Sequence, residues 1–63
     1  MFNFIAKGSI FALNTSSKKM EIIEKGTVIK PRLREGNNCI ILKDKHLYEI
    51  TVDVFKEFFS IYK

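Results

Sequence analysis

Hydrophobic and polar residues alternate at the two-residue period of a β-strand through most of this chain, and a helical period replaces that alternation only near its end. From Phe2 to Leu13 the residues are β-branched and aromatic, and Gly8 divides the run so that apolar parity passes from Phe2, Phe4 and Ala6 to Phe11 and Leu13. A glycine inside a strand pattern marks a bulge or a sharp bend, so this stretch predicts one bent first strand. Asn14-Thr15-Ser16-Ser17 predicts a turn, because these side chains hydrogen-bond the local backbone.

Lys18 to Lys25 predicts a second strand, with the adjacent Ile22 and Ile23 on opposite faces, and Gly26 ends it. Thr27 to Arg34 is the most regular alternation: Thr27, Ile29, Pro31 and Leu33 share one face, and Val28, Lys30, Arg32 and Arg34 share the other. Pro31 has no N–H for a ladder, which places this strand at a sheet edge or at a bulge. Glu35-Gly36-Asn37-Asn38 reads as a turn, Cys39 to Leu42 as a buried strand, Lys43-Asp44-Lys45-His46 as a tight turn, and Leu47 to Ile50 as a fifth strand pairing back in a hairpin.

Thr51 is a fitting N-cap, Asp53 suits the positive end of a helix, and Phe55, Phe58, Phe59 and Tyr62 follow the i, i+3, i+4, i+7 rule. A closing helix of about ten residues is expected, formed against the sheet because so short a helix is marginal alone. The fold class is therefore mainly β with a C-terminal helix (α+β): a small antiparallel five-stranded sheet or SH3-like partly closed barrel in the order β-β-β-β-β-α. The aromatics cluster at the two ends of the chain, which predicts that the ends pack together and that these rings fill most of the core.

Length limits the chain to one domain, residues 1–63, since a polypeptide this short holds a single modest core. A hydrophobic content of 46% is enough for folding. One cysteine, Cys39, cannot form an internal disulfide framework, which points to a reducing, cytoplasmic setting. Neither a signal-type apolar stretch nor a bilayer-length run is present, so no membrane association is expected.

Charge divides unevenly along the chain. Residues 1–34 hold seven Lys/Arg against two acids, a balance of +5, and residues 35–63 hold four against five, a balance of −1. Lys30, Arg32 and Arg34 on one strand face would stand about 7 Å apart in a line, and Lys25 extends it. Such a line suits an acidic protein strip or a phosphate backbone. It also suits a solvated edge strand protected against aggregation.

Chemistry is scarce. Cys39 and His46 are the only soft or imidazole ligands, too few for a zinc sphere, and a thiol–imidazole pair across the hairpin would lack an orienting group. The acids are scattered, and Gly8, Gly26 and Gly36 are too far apart for a phosphate loop. No catalytic residue, metal, cofactor or small-molecule substrate is assigned.

The sequence therefore points to a non-enzymatic protein-interaction module, small and regulatory or inhibitory, of the kind phages and mobile elements encode. It would dock to a larger acidic partner through the basic residues Lys25, Lys30, Arg32 and Arg34, through an apolar surface at Phe58, Phe59 and Tyr62, or through a strand edge. A homodimer is compatible with the same surfaces. The alternative is a nucleic-acid-binding accessory domain using the basic strand face, and the lack of aromatics among those cations argues against a single-strand reader.

Overall fold

The structure, a computed structural model, describes residues 2–63. Its elements are β1 (Asn3–Ala6), β2 (Ile10–Asn14), β3 (Met20–Ile23), β4 (Val28–Glu35), β5 (Asn38–Lys43), β6 (His46–Thr51), α1 (Val52–Phe58) and β7 (Phe59–Tyr62). The strands form one antiparallel sheet in the order β3-β2-β6-β5-β4-β1-β7, curled into a half-barrel with α1 against its concave side. The sheet thus has seven strands where five were expected, for two physical reasons.

The first is the bend at Gly8. It breaks the opening run into β1, which pairs with β4 and β7, and β2, which pairs with β3 and β6, so the chain crosses from one side of the half-barrel to the other. The bend is tied down by its neighbours: Lys7 N–H donates to the Phe58 carbonyl at 2.6 Å, Gly26 N–H to the Ala6 carbonyl at 2.8 Å, and Lys25 N–H to Ser9 Oγ at 3.1 Å. Gly26 itself has φ +90°, a conformation open to glycine and costly for other residues.

The second reason lies at the end of the chain. Thr51 caps α1 as expected, its Oγ1 accepting from Val54 N–H at 3.2 Å, but the helix stops at Phe58 after seven residues. Phe59 has extended dihedrals, and the segment Phe59–Tyr62 pairs with β1 through Asn3↔Tyr62, Phe4↔Ile61, Ile5↔Ser60 and Ala6↔Phe59. Phe59 and Tyr62 therefore leave the helical stripe assigned to them. Four ladder positions on an open strand edge outweigh one further turn of a marginal helix. The observed order is six strands, a helix and a strand, and the two ends of the chain do pack together.

The core also departs from the aromatic one expected. Ile10, Ile23, Ile29, Ile41 and Ile50 line it with Ala6, Ala12, Tyr48 and Phe59, whereas Phe2 and Phe11 stand in solvent. In β2 it is Ile10, Ala12 and Asn14 that face inward, so Phe11 and Leu13 do not continue the apolar parity inward across Gly8. Inward Asn14 is accommodated because every polar group it buries is satisfied. Its Oδ1 accepts from Ser16 and Ser17 N–H at 2.9 and 3.1 Å, and its Nδ2 donates to Glu21 Oε2 at 3.2 Å.

Candidate functional site

A groove runs between α1 and the second half of β4. Its origin is local. β1 covers β4 only at Ile29 and Val28, so from Lys30 onward the β4 edge away from β5 has no strand against it among the described residues. Pro31 belongs here: the Thr27 carbonyl accepts from Ala6 N–H on the β1 side, and strand alternation sends the backbone of Pro31 to that same side, away from the ladder with β5. Immediately afterwards the β4–β5 register slips, Pro31 opposing Ile41 and Leu33 opposing Ile40, which leaves Arg32 as the extra residue of a bulge.

Helix α1 forms the opposite wall because it starts directly from β6. Val52 N–H donates to the Asn37 carbonyl at 2.8 Å, pinning the first turn to the β4–β5 connection. Val52, Phe55 and Lys56, at i, i+3 and i+4, then face β4. The resulting cavity of about 370 Å³ is lined by Pro31, Arg32, Leu33, Arg34, Cys39, Val52, Phe55 and Lys56. A second cavity of about 320 Å³ shares Arg34, Val52 and Lys56 and adds Asn37, Thr51 and Asp53, extending the groove around the start of the helix.

The groove joins an apolar floor to a cationic rim. Phe55 is fixed from behind, its ring 4.9 Å from that of Phe4 and 5.5 Å from that of Phe59, centroid to centroid. Arg34 is held by its Nε donating to the Gly36 carbonyl at 3.0 Å, which leaves its terminal guanidinium nitrogens free of that bond. Arg32, Arg34 and Lys56 are all exposed at the rim, and among the described residues Asp53 is the one acid lining the extended cleft.

The bulge also redistributes the basic residues singled out from the sequence. Residues opposed across a ladder share a face, so Lys30, opposite Leu42, points to the convex side, while Arg34, opposite Cys39, points to the groove. Lys30 accordingly lines a different, smaller cavity of about 210 Å³ with Asn3, Val28, Leu42 and Asp44. Lys25 lies in the β3–β4 turn, at the far end of β4 from Arg34. The expected row of cations on one face is therefore broken: Arg32 and Arg34 come together with Lys56, and Lys30 and Lys25 stand apart.

Among the apolar candidates, Phe59 is a core residue at 5% exposed, Phe58 is half-buried against Gly8, and only Tyr62 is freely exposed. Phe59 thus offers no surface for docking. Cys39 and His46 do not face each other across the hairpin. Cys39 opposes Ile50 and His46 opposes Lys43, at opposite ends of the β5–β6 ladder. Among the described residues no group of three or more His, Cys, Asp and Glu side chains is placed to hold a metal ion, and no helix is long and apolar enough to cross a membrane.

A polar cluster that the sequence did not announce sits on the other side of the half-barrel. Tyr48, 3% exposed, donates from its hydroxyl to Glu21 Oε1 at 2.8 Å while Asn14 occupies Oε2. The hydrogen bond to the Glu21 carboxylate, reinforced by burial and by the charge of Glu21, raises the Tyr48 pKa above its ordinary value of 10.0. No side-chain polar atom buried in the described structure lacks a partner, so this cluster is complete without a ligand.

Comparison with protein-family models, with curated proteins and with solved structures gives no match for this chain.

Proposed function

We propose that this chain is a non-enzymatic protein-interaction module that holds an extended, acidic and partly apolar segment of a larger protein in the groove between α1 and β4. The observation that carries this reading is the joining of an apolar floor, Pro31, Cys39, Val52 and Phe55, to a rim of Arg32, Arg34 and Lys56 beside a strand edge left unpaired among the described residues. An extended peptide satisfies all three features at once. Its backbone adds to the free edge, its apolar side chains enter the floor, and its carboxylates meet the cations.

A module that acts by occupancy alone would be regulatory or inhibitory toward its partner. The separation of Lys30 from Arg34 supports a short peptide over a phosphate backbone, because a duplex contact needs cations in register on one face. The test is fluorescence anisotropy with a labelled peptide of alternating Glu and Ile residues, run against a single-stranded and a duplex oligonucleotide. The expected result is salt-sensitive peptide binding that an Arg34→Glu, Lys56→Glu variant loses while its circular dichroism spectrum is kept. Retention of oligonucleotide with no binding of peptide would sink the proposal and favour nucleic acid.

A further inference from the structure

The convex face of β2 and β3 is an apolar patch that no other element covers among the described residues. Phe11 opposes Ile22 and Leu13 opposes Met20 across the β2–β3 ladder, so the four side chains form two adjacent cross-strand pairs on one face. Phe11 is 66% exposed, Met20 60% and Ile22 51%. Helix α1 lies on the concave side and cannot reach them.

We propose that this face binds a second copy of the chain, the two patches packing face to face about a two-fold axis. Area, charge and symmetry each favour that occupant. With large apolar side chains contributing about 150–250 Å² each when fully exposed, the three named residues present on the order of 350 Å². That is a little under half of the roughly 800 Å² per partner of a stable interface, the share expected of an apolar core whose polar rim comes from the flanking turns.

Charge explains why the contact falls here. The chain carries a net charge of +4, so two copies repel each other over most of their surface. Among Phe11, Leu13, Met20 and Ile22 there is no charged side chain; Glu49, opposite Leu13 on β6, borders the patch, and the nearest cations in sequence, Lys18, Lys19 and Lys25, lie in the turns at either end of β3. A two-fold contact brings a patch against itself. An uncharged apolar patch is self-complementary under that operation, whereas the cationic groove is not.

The patch on β3 and β2 lies four and three strand positions from β4, whose concave side forms the groove. Dimer formation therefore leaves the groove open, and the two proposals succeed or fail separately. The test is sedimentation velocity of the whole chain over a concentration series reaching about 100 µM, above the dissociation constant expected for a small interface. The expected result is a concentration-dependent species of twice the 7.4 kDa chain mass, which Ile22→Lys and, separately, Phe11→Lys convert to monomer with the circular dichroism spectrum unchanged.

Ile61→Lys, on the opposite edge strand β7, is expected to leave the dimer intact. A wild-type chain that stays monomeric throughout overturns the proposal. So does a dimer that survives both Lys variants, a dimer that Ile61→Lys dissociates, or a monomer that instead binds anionic phosphatidylglycerol vesicles through Phe11.

Discussion

The ring of Phe58 stands 3.2 Å from the point where a side chain on Gly8 would begin. The end of the helix thus closes over the bend between β1 and β2, and the Lys7 N–H to Phe58 carbonyl bond at 2.6 Å holds the two together. Gly8→Ala should therefore destabilise the domain by about 1 kcal/mol, the lower end of the cost of overpacking a fitted contact. Denaturant unfolding measures the loss, and a double-mutant cycle with Phe58→Ala assigns it. If the alanine costs as much without the ring as with it, the contact is not the cause.

The Tyr48–Glu21 bond has a pH signature. Because folding raises the Tyr48 pKa above 10.0, the folded state favours the protonated phenol, and the stabilisation is fully present below pH 10. It declines as pH rises through the unfolded value toward the higher folded one. In a Tyr62→Phe background Tyr48 is the remaining tyrosine, and its phenolate absorbance should rise later than that of the urea-unfolded chain. Coincident titration curves would contradict the buried bond.

At neutral pH Tyr48→Phe removes the donor to Glu21 Oε1 and should cost about 1 kcal/mol, the scale of one hydrogen bond at a part-buried carboxylate. The same variant should unfold with less dependence on pH above 10. Thermal melts at neutral and alkaline pH check both statements. A variant as stable as the parent at neutral pH would show that Glu21 recovers the lost bond from water.

Thr51→Ala should cost about 1 kcal/mol through loss of the N-cap. In a helix of seven residues that loss frays the first turn, which carries Val52 and Asp53 into the groove. Peptide affinity is expected to fall together with stability. A stability loss with unchanged affinity would mean that the first turn takes no part in the groove.

Charge reversal separates the two faces of β4. Arg34→Glu should weaken the Glu/Ile peptide about tenfold or more, the effect of losing and then opposing a charge-assisted contact. Lys30→Glu, on the convex face, should leave affinity within about twofold at moderate salt, where exposed charges beyond a Debye length are screened. Equal losses in the two variants would point to a diffuse electrostatic attraction with no seated ligand.

The sequence made several elements legible. The β5–β6 hairpin, the Thr51 cap and the irregularity at Pro31 each rest on local chemistry: a two-residue turn, a hydroxyl, a missing N–H. The opposite fates of Ile22 and Ile23 follow from simple alternation. Strand β7 was hidden because Phe55, Phe58, Phe59 and Tyr62 satisfy a helical period, and only the open edge of β1, a tertiary fact, draws Phe59 to Tyr62 into the sheet.

The groove was half legible. Arg32 and Arg34 were singled out, but alternation counted them with Lys30, and a bulge that inserts one residue reverses the faces on either side of it. Lys56 was missed although it lies at i+4 from Val52 on the face that meets β4, a spacing that could have found it. The inward turn of Asn14 carried no sequence signal, since its partners Glu21 and Tyr48 are brought to it by strands paired at a distance.

The pairing of Phe4 with Ile61 has a kinetic consequence. A ladder between nearly the first and nearly the last residues closes a loop of almost the whole chain, and such non-local contacts form late, after their entropy cost has been met by others. During synthesis β1 waits with one edge bare until Tyr62 has emerged, and in that interval an emerging chain is open to association with other unfinished chains. The seam where β1 meets β7 is thus the ladder of greatest sequence separation in the domain, and the last that synthesis allows to close.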